Sequence, residues 1–410
     1  MKVSDSNQIQ LNYGTGCCFS CGPSPSQVLS VHQGPNSLDD LAAEARSALA
    51  EPIEFPSLEL AVVPGDKVVL AVDAFTPGLD LLIAEVWRIF EQQQIAASSI
   101  TILQPAAQNS DTLADPRSKL PTEVASEIVW KIHDVAEQPE CQYLSTTENG
   151  ERIYLAQEII EADFVMTIGP MSFHPTLGVS GTNSVFYPGL SNEEAQSRTQ
   201  EPVSRNKTLD LNSPQRKLVD EIGWLLGTQF SLQVLPASAG GVSHVLAGAF
   251  QSVLERGREF LLDHWYVEIS ERPDLIVLAL DSPSCWSDLS TAISSASQIV
   301  GDEGRVVVLS DFAAPLEEGL ERLRRCAEPL DVREELRGST SPDKALTIQI
   351  AESVSQTRVY LLSGLDEDVV EDLFMFWVKD QKEVQRLLET SQSCVFIAGA
   401  QHTSFRFVES

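Results

Sequence analysis

The sequence predicts an α/β protein of two α/β domains, each built on a mostly parallel sheet. Three observations lead there. Short runs that are apolar at nearly every position recur, such as "DKVVLAVD", "ADFVMTIG" and "RVVVLSDF", and strands buried on both faces read this way. Amphipathic stretches such as "LLIAEVWRIFEQQQI" separate them, and strands alternating with helices argue for parallel pairing. The rhythm restarts near "SERPDL". A chain of 410 residues, 43% of them hydrophobic, is long enough for two or three cores. The boundary is expected near 268–274, giving a first domain over 1–268 and a smaller second one over 274–410.

The elements follow in order. "LNYGTGCCFSCGPSPS" reads as an N-terminal hairpin, with Cys17, Phe19 and Cys21 alternating on the buried face of a strand. Its C-x-x-C at Cys18 and Cys21 has no second pair at metal spacing and no helix start behind it, so these thiols are expected to face the core. The other four cysteines are scattered, which suits a reducing compartment. "SLDDLAAEARSALAEP" is a helix, with Ser37 and Asp40 as a capping box. The strands "DKVVLAVD", "SITILQP", "ADFVMTIG" and "FSLQVLP" follow, and "VLAGAFQSVLERGREFLLDHW" is a helix after the last. The second domain carries strands in "LIVLALDSP", "RVVVLSDF", "RVYLLSGL" and "SCVFIAGA". Helices are expected in "PLEEGLERLRRCA", "DKALTIQIAESVS" and, as one long element, "EDVVEDLFMFWVKDQKEVQRLLE".

Composition excludes some functions. Acidic residues number 59 against 28 basic ones, for a formal charge of −31. Such a chain repels phosphate backbones and anionic membranes, so no nucleic acid and no membrane partner is expected. No apolar run approaches the ~20 residues of a membrane-spanning helix. The polar start lacks the apolar core of a signal peptide, and a cytoplasmic location is expected.

In open parallel sheets ligands gather at the carboxyl ends of strands. Asp73, Gln108 and the uncharged loop "FHPTLGVSGTNSVFYPGL" (173–190) all fall at such ends. His174 opens the loop. A glycine-rich turn beside it exposes backbone N–H groups that hold anions, and a histidine there can bind a carboxylate or move a proton. The other reading is a histidine that only bonds the loop to itself. "GVSGT" misses the nucleophile elbow because Thr182 stands where glycine is needed, which argues against Ser180 as a nucleophile. His133 with Asp134 reads as a polar pair at a strand edge. His32, His244, His264 and His402 sit in no motif and are expected on the surface or satisfied in the core.

The stretch "YLSTTENGERIYLAQEIIEADFVMTIGPMSFHPTLGVSG…YPGL" resembles the core of the nickel-pincer lactate racemases. The shared set is Thr146, Thr147, Gly150, Ile153, Tyr154, Glu161 to Asp163, His174, Gly178, Ser180, Gly181, Pro188 and Gly189. "LNYG", Asp73 with Pro77, "HD", "LQVLP" and "LAGAFQSVLERG" fit in order, so the resemblance spans roughly 10 to 265 and continues faintly beyond. It implies a cleft between two α/β domains, racemisation or epimerisation of a 2-hydroxy acid, and a nickel-bearing pyridinium nucleotide that takes and returns a hydride. It also implies two histidines that trade the hydroxyl proton, a carboxylate-binding arginine, a tethering lysine and a nickel-ligating histidine. His174 takes one catalytic histidine position and Asp73 the acidic one. Gln108 falls at the second histidine, Thr76 at the arginine, Ser184 at the lysine and Gln200 near the nickel histidine. The Gln and Lys of the second domain fall near Leu289 and Ala292. Catalytic roles are therefore expected for His174, Asp73 and Gln108. Cofactor contact is expected from Gly178, Ser180, Gly181, Thr182 and Ser184, with no metal ligand from the protein. Any pincer nucleotide is expected to be held non-covalently, because Ser184 offers no amine for the tether; Gln108 does not relay protons as imidazole does, which argues against two-base racemisation. Two functions stay open: an altered isomerase of a 2-hydroxy acid, and a non-catalytic relative that binds a small anion or a protein partner.

Overall fold

A computed structural model describes residues 8–106, 113–137, 139–199, 209–227, 230–301, 303–339 and 341–408. Two six-stranded sheets organise it. The first runs in the order Val242–Ala249, Phe230–Pro236, Phe164–Pro170, Val68–Val72, Ile100–Pro105, Val129–His133. All its neighbours are parallel except the antiparallel first pair. The second is wholly parallel, in the order Phe376–Trp377, Arg358–Leu362, Arg305–Leu309, Leu275–Ala279, Cys394–Ala398, Val28–His32. Buried strands with helices on their faces match the expectation, and Val68–Val72, Leu275–Ala279 and Cys394–Ala398 are buried at every position.

In each sheet the strand order reverses once. Val68–Val72 lies between Ile100–Pro105 and Phe164–Pro170; Leu275–Ala279 lies between Arg305–Leu309 and Cys394–Ala398. At such a reversal the connections leave to opposite faces and open a crevice. Asp73 and Gly169 follow or end the strands at the first reversal. Asp281 and Gly399 do so at the second.

Several local expectations are corrected. Residues 8–32 were assigned to the first domain, yet Val28–His32 is an edge strand of the second sheet, paired to Cys394–Ala398. The hairpin Ile9–Tyr13/Cys17–Cys21 packs Leu11, Phe19 and Cys21 into the core formed by Leu275, Val277, Phe396 and Val384. The second sheet needs a cover on that face, and the chain's start supplies it. Phe19 and Cys21 face the core as expected, with Cys17 half-buried and the Cys21 thiol pushed up to about 12 by burial, whereas Cys18, also expected to face the core, points to solvent on the other side of the strand. The chain then crosses to the first lobe through residues 33–40 and returns after Trp265. Trp265 is fully buried at that return. A Cβ on Gly34 or Gly399 would lie 2.1 or 2.7 Å from its ring, so both glycines make room for the indole. His32 and His402 flank the same ring edge-on, and His244 and His264 pack at a tilt against Phe260.

The helix Leu41–Ala50 is capped by Asp40, whose Oδ1 accepts from the Ala43 N–H at 2.9 Å. Ser37 is not its cap; its hydroxyl donates to the Gly240 carbonyl at 2.7 Å. "VLAGA" is strand, not helix. The small residues of "ASAGG" let the chain turn back, Val242–Ala249 pairs with Phe230–Pro236, and the helix begins at Phe250. The expected long helix over 367–389 breaks into Glu367–Asp372, the short strand Phe376–Trp377 and Gln381–Glu389. Phe374 at φ 62° ends the first helical piece. The amphipathic helix Trp286–Ser297 was not anticipated.

Because the hairpin completes the second core, Phe19→Ala is expected to cost about 3–5 kcal/mol, the range for an aromatic removed from a core. Urea unfolding checks the size. Hydrogen exchange should place the loss in strands 275–279 and 394–398; a loss confined to the first sheet would contradict the assignment.

Candidate functional site

The site is built at the first reversal. Asp73 follows the strand Val68–Val72, and its N–H donates to the Ile168 carbonyl at 2.9 Å, which locks it beside Phe164–Pro170. Its Oδ1 accepts from the Phe75 N–H at 2.9 Å. Desolvation raises its pKa, partly offset by that bond. A Cβ on Gly169 would lie 3.3 Å from Asp73 Cβ and 2.8 Å from Val185 Cγ2. Gly169 therefore lets Asp73 and the 178–191 loop converge on one strand end. Gln108 and Gln200 lie outside the described residues. Thr76, the arginine's position by resemblance, is a buried turn residue whose hydroxyl donates to the Asp73 carbonyl at 2.8 Å.

His174 sits in the two-residue strand Phe173–His174, paired with Gly178–Val179. Its Nδ1 accepts from the backbone N–H groups of Thr176 and Leu177, both at 3.2 Å. Two donors on Nδ1 put the ring proton on Nε2, so the imidazole is a hydrogen-bond donor toward anything beyond the hairpin. Surrounding protein and, second, the Arg216 guanidinium lower its pKa to about 4. A group whose pKa falls on folding contributes stability at pH above its unfolded value of 6.5. That contribution is lost as pH drops toward about 4.

The glycine-rich loop was expected to offer free N–H groups to an anion, and at Ser180, Gly181 and Thr182 it does not. Ser180 N–H donates to the Ser172 carbonyl at 2.9 Å, and the two serine hydroxyls are 2.9 Å apart. Gly181 N–H donates to Ser184 Oγ at 2.7 Å, and the Ser184 hydroxyl donates back to the Gly181 carbonyl at 3.0 Å. Thr182 N–H donates to Gln233 Oε1 at 2.9 Å. These three N–H groups are taken up by the loop and by Gln233, and Val185, Phe186, Tyr187 and Leu190 bury the loop's far side in a core. Gly178 is required because a Cβ would lie 2.4 Å from the Asp210 carbonyl oxygen. Gly181, at φ 103°, would meet Met171 at 2.6 Å and Gln233 Oε1 at 2.9 Å.

Two side chains that hold the loop escaped sequence reasoning. Gln233 is fully buried in Phe230–Pro236 and also donates to Ser231 Oγ at 2.9 Å. Arg216, 1% exposed, donates to the carbonyls of Gly181 at 3.2 Å and Val179 at 3.4 Å and to Thr182 Oγ1 at 3.3 Å, while Asp220 balances its charge. A signal existed for each. Gln233 is a lone amide within a strand that is apolar apart from Ser231, and Arg216 falls on the apolar stripe of its helix with Val219, Ile222 and Gly223. Close by, Arg258 donates from its Nη2 to the Leu211 carbonyl at 2.7 Å, and its Nε is buried without an acceptor. His133 is buried and its Nε2 is 2.8 Å from the Ser191 carbonyl, so it fastens the loop's exit to the edge strand.

The lactate racemase N-terminal domain matches residues 13–202. Over that stretch, a little under half of the chain, it is similar to the lactate racemase N-terminal domain. The lactate racemase apoprotein of Thermoanaerobacterium thermosaccharolyticum superposes with a TM-score of 0.77 at 15% identity, covering 97% of this chain and 100% of that one. A Thermotoga maritima protein superposes at 0.61 and 11% identity, covering 92% and 100%. At these identities the likeness is one of fold. No curated protein matches the sequence. Among the described residues no group of three His, Cys, Asp or Glu could hold a metal ion, and no helix is long and apolar enough to cross a membrane.

The residues do not fit a covalently tethered pincer. Ser184 carries no amine, and its hydroxyl is taken up by both backbone groups of Gly181. Leu289 and Ala292, the second-domain positions suggested by resemblance, are fully buried in the core. A cavity of about 140 Å³ lies at the other end of Phe164–Pro170, among Leu144, Ile160, Ala162 and Leu226.

Replacing Arg216 by Met removes the donor of three buried loop groups and strands the Asp220 carboxylate. We expect a loss of about 3–5 kcal/mol, read by chemical denaturation. Gly181→Ala should cost about 1–3 kcal/mol through the left-handed backbone and the contact with Gln233. A neutral effect of both would mean the loop is not held as described.

Proposed function

We propose that this divergent lactate-racemase-like protein binds a small carboxylate of the 2-hydroxy acid class at the His174 hairpin and does not racemise it through a tethered pincer. The observation that carries this reading is the pair of N–H groups on His174 Nδ1. A base must present a lone pair, and this ring's lone pair is occupied within its own loop. What it presents is an N–H, which suits a carboxylate or hydroxyl oxygen. The unpaired Nε of Arg258, on the side chain that bonds Leu211 behind the hairpin, is a second donor for such an anion. Gly178 packs on Leu211, so both donors belong to one neighbourhood. Exchange of small carboxylates with solvent needs neither metal nor nucleotide.

A second reading, isomerase turnover, is favoured by Asp73. Its carboxyl is shifted toward the neutral form at the sheet reversal, where a proton-carrying group has a use. Chemistry by that route would require Asp73 to do what a histidine pair does in the family.

Calorimetry with D- and L-lactate and longer 2-hydroxy acids tests the proposal, with chiral chromatography of the same mixtures. Binding without interconversion is expected. His174→Ala should weaken it roughly ten- to a hundredfold, the effect of losing a hydrogen bond of about 1.5–3 kcal/mol to a charged group. His174→Gln, which keeps a donor, should recover part of it. Interconversion that disappears in Asp73→Asn would establish the second reading, and no heat with any acid would refute the binding site.

A further inference from the structure

The two lobes meet through a buried carboxylate. Asp281 follows the strand Leu275–Ala279 at the reversal of the second sheet and is 3% exposed. The Ala239–Gly241 turn of the first lobe faces it. Ala239, Gly240 and Gly241 have φ of 62°, 82° and 93°, and the backbone N–H groups of Ala239 and Gly240 stabilise its charge, as does Gln401. Successive left-handed residues turn N–H groups toward one side, a usual way to hold an anion. A Cβ on Gly240 would lie 3.2 Å from the Ser282 carbonyl oxygen, so the lobes are in close contact there. Asp281 Oδ2 nevertheless has no hydrogen-bond partner.

Among the described residues, the remaining elements around Asp281 bring no compensating cation. The hairpin turn at Gly14 bridges to Asp281 and packs on Asp311. The helix Trp286–Ser297 starts with Cys285 and Asp288, and the Asp288 charge opposes that of Asp281. His402, next to Gln401, is held neutral by burial, which lowers it to about 4. Around the carboxylate stand two further acids, a thiol and a neutral imidazole.

We propose that Asp281 is a proton-dependent clasp between the lobes: they hold together more firmly with its carboxyl protonated and part more readily once it is charged. Burial, the largest cause, raises its pKa from 3.8 to about 6. With the lobes apart the carboxyl is hydrated and returns toward its ordinary value near 4. The joined state therefore binds the proton more tightly. It gains as pH falls through about 6 and has lost that gain above it. A shift of this size makes the ratio of joined to parted lobes about tenfold larger at pH 5 than at pH 8.

Hydrogen exchange of the full chain from pH 5 to pH 8, corrected for intrinsic exchange rates, tests this. The peptides to follow cover 34–38, 237–241 and 399–402, where the lobes touch. Their protection should fall about tenfold over that range. In Asp281→Asn it should stay high and flat. Asp288→Asn, which keeps a helix cap but removes the opposing charge, should move the midpoint to lower pH. It serves equally if Asp281→Asn does not fold. Flat protection in the unmodified protein, the same profile in Asp281→Asn, or an unmoved midpoint in Asp288→Asn would each overturn the clasp.

Discussion

The Gly181–Thr182 turn is gripped from two directions, and the candidate site takes its form from that grip. Gln233 reaches up from the sheet to take the Thr182 N–H, while Arg216 comes from a helix to take the Gly181 carbonyl and the Thr182 hydroxyl. Thr182 is held at φ 52°, a conformation that a β-branched residue enters only when its surroundings insist. A buried guanidinium with three loop acceptors and a carboxylate partner supplies that insistence, because releasing any of them would leave a buried polar group unpaired. With the turn fixed, Ser184 folds back onto Gly181, and the short Phe173–Val179 hairpin ahead of it closes on His174.

The consequence is chemical. A loop of this composition in a lactate racemase fold looks made for gripping a phosphate or a cofactor. Here the backbone donors of Ser180, Gly181 and Thr182 are already spent within the protein. The lysine and arginine expected by resemblance are replaced by Ser184 and Thr76, and both hydroxyls serve turns. At these two positions the replacement is absorbed into local structure. What the site keeps is an imidazole that donates, an aspartate biased toward its neutral form, and the close approach allowed by Gly169.

Much of this was legible in the sequence. The strands "DKVVLAVD" and "ADFVMTIG" declare themselves because a strand buried on both faces leaves no polar alternation to misread. Placing Asp73 and His174 at strand ends followed from that alone, and the family resemblance added their order. The hairpin's membership of the second lobe was not legible, since periodicity reports which face is buried and not against what. The strand Val242–Ala249 was hidden because "VLAGA" suits helix and strand equally. The loop's closure was hidden for a different reason. Glycines announce tight backbone, but whether their N–H groups face a ligand or a neighbouring glutamine depends on Gln233, fifty residues away in the chain. His174 had two readings in the sequence, and Thr176 and Leu177 favour the one in which it bonds its own loop.

The state of the His174 ring is the point on which the account turns, and ¹⁵N nuclear magnetic resonance of the histidine side chains measures it directly. At pH 7 the account predicts a neutral ring with an unprotonated, hydrogen-bonded Nδ1 and a proton on Nε2, unchanged down to pH 5 because the pKa lies at about 4. A ring that carries its proton on Nδ1, or that titrates near the ordinary value of 6.5, would contradict it.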